Sequence, residues 1–211
     1  MSKHSKNLTE KDIQERLSKA PRGEISNPYP PGLYAEELQR AAVLIPLLHK
    51  KNAWHILFIH RTANQHDPHS GQVAFPGGAS ESSDLTPEAT ALRETQEEIG
   101  LNPKDVQILG QLNDHLTITS YHVTPIVARI PWPYPLNPAR DEVSRIFTIP
   151  LDWLADPDNH EVKKRKLPHP YPSIPVIYFK PYDKEVLWGA SARFTIGLLA
   201  LLFGENSTSK S

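Results

Sequence analysis

The chain contains no cysteine. Disulfides, thiolate nucleophiles and cysteine-bound zinc are thereby excluded, and the compartment is left open. A basic excess is missing too. The 23 Lys and Arg are matched by 24 Asp and Glu, for a formal net charge of -1, whereas a general nucleic-acid binder carries a clear positive surplus. Long apolar runs are absent. The run over residues 196–203 is far too short to span a bilayer, and the polar residues 1–12 lack the apolar stretch of a secretory signal. Ser209, Lys210 and Ser211 match a peroxisomal tripeptide only in part, because the final leucine is missing. These absences lead us to expect a cytoplasmic protein with a small-molecule partner, no nucleic acid and no membrane, its oligomeric state open.

What is present suffices for a core: 211 residues, 38% of them hydrophobic. The 21 prolines fall between apolar runs as stiff connections. Thr9 can cap a short helix carrying Ile13 and Leu17, and a proline-rich arm follows, so residues 1–32 read as a helix and an extended arm. Residues 41–48 read as a strand covered on both faces, with Pro46 hinting at an edge or a bulge. Further strands are expected at 55–61, 72–75, 106–112, 123–130 and 143–149, with a hairpin over 176–188. Helices are expected at 87–99, between Thr86 as cap, Pro87 and the stop Gly100, and at about 190–203. The order predicts one α/β domain over 33–203, a mixed sheet between helices, with a frayed tail at 204–211.

The helix at 87–99 carries the chemistry. At ~100° per residue, Glu94, Glu97 and Glu98 fall within one arc of about 100°. Three carboxylates so placed repel one another, and divalent cations such as Mg2+, which take oxygen ligands, would neutralise them. Arg93 stands four residues before Glu97, where it can pair with and orient it. A plain solvated acidic face is the competing reading. Upstream, Pro76, Gly77 and Gly78 let backbone approach an anionic ligand and can offer an N–H or a carbonyl.

From Arg93 to Leu101 the chain resembles the second half of the Nudix hydrolase box, with Thr95 at the first aliphatic position. The first half departs. Gly78 lies one residue further from Arg93 than the general box has it. Leu85 takes the place of the first glutamate, with Asp84 and Glu88 nearby. The segment 69–78 is similar to the one that precedes the box in coenzyme A diphosphatases. Glu81 and Asp84, residues 90–94, 123–125, 141–143 and 187–193 also resemble that branch, whose second arginine after Arg61 has no counterpart in residues 63–68.

The resemblance implies a Nudix-type α/β/α sandwich. It also implies hydrolysis of the diphosphate in coenzyme A or acyl-coenzyme A, giving a phosphopantetheine and adenosine 3′,5′-bisphosphate. Phosphoryl transfer needs charge neutralisation, an oriented water and in-line geometry more than covalent help. On that basis Glu94 and Glu98 are the expected Mg2+ or Mn2+ ligands, joined by Glu97 and the Gly78 carbonyl, with Arg93 orienting Glu97. Glu142 is the candidate base, or else a solvated loop acid. Arg61, His69 and Gly77 are expected at the substrate, His69 with a role in fixing its loop as the alternative. The basic run at 163–166 reads as a solvated loop or as a clamp in which Lys163 and Lys164 hold a 3′-phosphate. Two other readings stay open. One is hydrolysis of ADP-ribose, a dinucleoside polyphosphate or an oxidised nucleotide. The other is a catalytically silent Nudix-fold binding module.

Overall fold

The computed structural model describes residues 5, 8–20, 27, 29–30, 32–33, 37–63 and 71–204. The first helix, α1 (Glu10–Ser18), starts in a capping box. The Thr9 hydroxyl accepts from the Asp12 N–H, and the Asp12 carboxylate accepts from the Thr9 N–H. Two long strands follow, β1 (Gln39–Lys50) and β2 (Ala53–Arg61). Lys51 and Asn52 between them both have positive φ, as a two-residue hairpin turn that matches strand twist requires.

Short strands β3 (Val73–Ala74) and β4 (Gly77–Ala79) lead into α2 (Pro87–Ile99). Its ends lie where the sequence places them: the Thr86 hydroxyl accepts from the Ala89 N–H, and Gly100 is left-handed at φ 70°. Then come β5 (Gln107–Gln111), β6 (His115–Leu116), β7 (Tyr121–Arg129), β8 (Val143–Pro150), the single turn α3 (Leu151–Leu154), β9 (His160–Arg165), β10 (Ile174–Phe179) and α4 (Gly189–Phe203).

β1 is the axis of a mixed sheet. It runs parallel to β7 on one side and antiparallel to β2 and β4 on the other. β8 extends the sheet beyond β2, β3 pairs with the same edge of β2 as β1 does but further along it, and β5 and β6 pair with β7. Alternation along β1 and β2 feeds two cores. Ile45, Leu47, Trp54, Ile56 and Phe58 pack with α1 and α4, while Leu44, Leu48, Leu57 and Ile59 pack with Ala91 and Ile99 of α2. These are the two faces of one sheet, hence an α/β/α sandwich, and they explain why β1 is apolar from Ala41 to Leu48.

Three local expectations are revised. Pro46 is neither on an edge nor at a bulge. β4 pairs with β1 only at Ala41–Val43, and β2 only from Leu47 onwards. The Leu44 N–H faces this fork, donating to Pro76 O at 2.8 Å. Backbone donors alternate sides along a strand, so the N–H that Pro46 lacks would point into the gap, and no ladder bond is lost. Gly77 and Gly78, expected to follow the strand at 72–75, form a strand of their own. The basic run is largely strand as well: β9 pairs with β10, while the 185–188 segment makes only isolated bridges, Tyr178 with Trp188 and Tyr182 with Glu185. β9 was hard to read because all but its first residue are exposed, so no buried face imposes a period on it.

Candidate active site

The site forms where β4 is wedged between β1 and α2. A side chain at Gly77, with φ 147°, would stand 2.4 Å from Ala42 O, and one at Gly78 would stand 2.6 Å from the Glu94 carboxylate. Glycine at both positions therefore lets the strand lie against β1 and lets the carboxylate of α2 lie against the backbone.

Glu98 is not on a solvated arc. It is 1% exposed and shares the inner face of α2 with Ala91, Thr95 and Ile99. Its carboxylate accepts from the Gly77 N–H at 2.9 Å and from Arg61 Nη1 at 3.3 Å. Burial pushes its pKa up to about 7, against the lowering effect of the Gly77 N–H and Arg61. Glu94 is raised too, by burial first, and the like charges of Glu97 and Glu142 act in the same direction. Thr95, at the aliphatic position of the box, is 1% exposed and returns its hydroxyl proton to Ala91 O at 2.6 Å. The polar side chain is thus satisfied within the helix.

Arg93 organises the outer side of α2. Its Nη1 donates to Glu94 at 2.9 Å and to Glu97 at 3.2 Å, and its Nη2 donates to Ala79 O at 3.0 Å. Asp84 grips the same guanidinium, with Nη2 at 2.8 Å and Nε at 3.2 Å. This contact holds the Asp84 carboxyl down at about 2. Asp84 thus anchors Arg93 from the loop before α2. Leu85 is 92% exposed, and among the described residues Glu88 makes no ion pair with Arg93.

Glu142 arrives from the segment before β8. That segment is tied to both neighbouring elements: the Ala139 N–H donates to Glu98 O at 2.9 Å, and the Thr62 N–H donates to Glu142 O at 2.8 Å. Its charge bears on both Glu94 and Glu98. Beside these groups lies a cavity of about 320 Å³, whose walls include Arg61, Phe75, Gly77, Gly78, Tyr121 and Trp188.

This arrangement of a glycine strand, a glutamate helix and an arginine anchor lies within the part of the chain, residues 38–169, that matches the NUDIX domain family. The chain belongs to the Nudix hydrolase family. It is 34% identical over 174 residues to an uncharacterized Nudix hydrolase NudL of Photorhabdus laumondii subsp. laumondii, covering 81% of this chain and 89% of the relative. A NudL of Pectobacterium atrosepticum is 34% identical over 167 residues, covering 77% of this chain and 83% of the relative. Among solved structures, an Ap4A hydrolase of C. elegans aligns with a TM-score of 0.45 and 17% identity, over 55% of this chain and 82% of that one.

Nudix hydrolases generally use divalent metals such as Mg2+ or Mn2+. Among the described residues, no three His, Asp or Glu side chains converge on one point as they stand. Glu94 and Glu97 instead share Arg93 Nη1 as donor, while Glu98 accepts from the Gly77 N–H and Arg61. The residue types nevertheless suit such an ion: hard oxygen donors, a glycine backbone that a Cβ would push off Glu94, and a buried glutamate raised by burial.

Of the other expected site residues, Arg61 stands between Glu98 and the cavity. His69 lies outside the described residues. Lys163 and Lys164 belong to the separate β9–β10 sheet. Lys163 pairs with Glu161 at 2.8 Å and lies over the Tyr178 ring, while Arg165 lies over the Trp188 ring. Tyr178 and Trp188 stack at 5.5 Å, so the basic strand is joined through Trp188 to the wall of the cavity. Arg165 belongs to the basic run read as a clamp, and its spacing of two from Lys163 places both on one strand face.

Proposed function

We propose that the chain hydrolyses the diphosphate of coenzyme A or its acyl derivatives, giving (acyl-)phosphopantetheine and adenosine 3′,5′-bisphosphate. The observation that carries this reading is the cavity. It joins the Gly77–Gly78 edge, where the carboxylates gather, to an apolar and aromatic slot formed by Phe75, Tyr121 and Trp188. A diphosphate at the glycine edge would have an organic group lodged beside it. The similarity of residues 69–78 to the coenzyme A branch supports the same substrate, since Gln72 to Gly78 build that wall.

In this reading Glu94, Glu97, Glu98 and the Gly78 carbonyl hold the divalent ion, Mg2+ or Mn2+. When bound, the ion supplies charge neutralisation to the diphosphate. Arg93, itself held by Asp84, orients Glu94 and Glu97. Arg61 offers the substrate a cation from the opposite wall. Glu142 is exposed and takes the proton of the attacking water. The water oxygen bonds to one phosphorus, the bridging P–O bond breaks, and two phosphomonoesters leave. Lys163 and Arg165, on the face of β9 that covers the Tyr178–Trp188 pair, meet the 3′-phosphate, with Lys164 on the opposite face.

The test is a panel of coenzyme A, acetyl-coenzyme A, ADP-ribose, diadenosine tetraphosphate and oxidised nucleotides with Mg2+ or Mn2+, read by mass spectrometry. Adenosine 3′,5′-bisphosphate as the main product supports the reading. Faster cleavage of another member reassigns the substrate, and no cleavage of any member favours a silent binding module.

A further inference from the structure

Away from the glutamate helix, one buried acid has no part in the hydrolytic site. Glu185 is 8% exposed. Its Oε2 lies 2.7 Å from His60 Nδ1, and its Oε1 accepts from Arg145 Nη1 at 2.9 Å. A carboxylate only accepts, so His60 Nδ1 carries the proton of the first bond. His60 and Arg145 stand opposite each other on β2 and β8. Glu185 therefore straddles a cross-strand pair, with one oxygen on each strand's side chain.

Each end of this clamp leads to a wall of the catalytic cavity. On the strand side, the β2–β8 register shifts between His60 and Arg61. Ser144 is the extra residue, and its hydroxyl donates to His60 O at 2.9 Å. Such a bulge re-aims the side chains beside it. The next side chain along β2 is Arg61, which reaches Glu98 and lines the cavity. On the other side, Glu185 closes a tight turn. The Tyr182 N–H donates to Glu185 O and the Glu185 N–H to Tyr182 O, both at 2.9 Å, with Asp183 and Lys184 at positive φ between them. Arg145 Nη1 also donates to Asp183 O at 3.0 Å, so the turn is held at its tip. Three residues after Glu185 comes Trp188, stacked on Tyr178 and lining the cavity.

We propose that Glu185 is a positioning residue, which fixes the spacing of Arg61 and Trp188 across the cavity by tying the β2–β8 pair to the turn before Trp188. Hydrogen bonds from a guanidinium to a carboxylate are among the strong ones. Here they are shielded from water on the Glu185 side, and breaking either partner leaves a buried charge uncompensated. The inference rests on the cavity being the substrate's, and not on coenzyme A being that substrate.

The test compares the native protein with Glu185→Gln and His60→Phe, which break the bridge from different ends and keep most of the side-chain volume. Asp183→Asn is the control. It weakens only the exposed partner of Arg145, suits a positive φ, and leaves Glu185 in place. In the first arm, hydrogen exchange without substrate follows two pairs of amides by mass spectrometry. One pair is Arg61 and Thr62, bonded to Gln72 O and Glu142 O; the other is Tyr182 and Glu185 in the turn. We expect both pairs to exchange about tenfold faster or more in the two bridge variants, and at the native rate in the control. In the second arm, KM and kcat are measured for coenzyme A with Mg2+. KM should rise about tenfold in the bridge variants, because two wall side chains must then be ordered on binding. The fall in kcat should stay within about threefold, because the glutamates are carried by α2, which the clamp does not touch. Faster exchange confined to the turn, an unchanged KM, or the same losses in Asp183→Asn overturns the proposal. If the native protein cleaves no coenzyme A, the substrate reading has failed, and the exchange arm alone decides the clamp.

Discussion

At the scale of single residues, Glu98 concentrates the conflict at the site. It is a carboxylate at 1% exposure, held by one backbone N–H and one distant arginine. Glu98→Gln keeps an acceptor for Gly77 and removes the charge. We expect turnover to drop by roughly a hundredfold or more, as for loss of a main electrostatic partner of the transition state. The fold should persist, because a buried amide needs no neutralising ion. Near-native turnover in a folded variant would remove Glu98 from the cation site. Asp84 makes a different prediction. It touches Arg93, which in turn touches Glu94 and Glu97. Asp84→Asn should lower kcat by about tenfold through misplacement of those groups, while Asp84→Glu recovers part of it. An unchanged kcat in Asp84→Asn would leave Arg93 anchored by Ala79 and the glutamates alone.

At the scale of elements, β9 is the informative one. It is exposed along most of its length, rich in lysine and paired on one side only, features that keep an edge strand from recruiting other chains. Its alternation makes a sharper use testable. Arg165 and Lys163 cover the aromatic pair that reaches the cavity, whereas Lys164 falls on the other face of β9 and Lys166 lies past its end. If the strand holds the 3′-phosphate, coenzyme A is cleaved faster than dephospho-coenzyme A, and alanine at 163 and 165 erases the difference. Alanine at 164 and 166 leaves it in place. The preference should weaken with added salt, since exposed charges are screened over about 8 Å at physiological ionic strength. The same preference in both double variants would return β9 to a solvated edge.

At the scale of the whole molecule, the carboxylate cluster and the buried histidines govern stability. Mg2+ or Mn2+ should raise Tm at pH 7.5 by binding the folded state alone, and less so in Glu98→Gln; an equal rise in both proteins would place the ion elsewhere. Burial holds His115 and His55 at about 4, below the 6.5 of free imidazole. Between those values the unfolded chain binds protons that the folded chain refuses, so these groups make stability rise with pH up to about 6.5 and stay level above it. Glu98, raised to about 7, acts oppositely over 4.5 to 7. Comparing Tm of the native protein with His115→Phe, from pH 7.5 to 5 in carboxylate-free buffer, isolates one histidine. We expect the native protein to lose stability relative to the variant by about 2 kcal/mol on acidification. Parallel pH curves would show that His115 gains a partner when protonated.

Much of this was legible from composition and periodicity alone. The ends of α2 followed from Thr86, Pro87 and Gly100, because capping is local chemistry. The double-faced burial of β1 followed from the unbroken apolar run at 41–48, and the adjacency of Glu94, Glu97, Glu98 and Arg93 from helical spacing. Other features depended on contacts between elements distant in the chain, which no local pattern encodes. Pro46 sits centrally because β4 and β2 diverge around it. Glu98 turns inward because β4 brings the Gly77 N–H to it. Asp84, rather than Glu88, meets Arg93 because the loop before α2 folds back over the guanidinium. The basic run became a strand because β10 offered it a backbone partner, and the edge-on contact of His115 with Phe194 exists only once β6 and α4 are packed. The sequence by itself determined the helix that carries the charges. Tertiary structure decided which of those charges lost their water, since desolvation belongs to a packed interface and not to a stretch of chain.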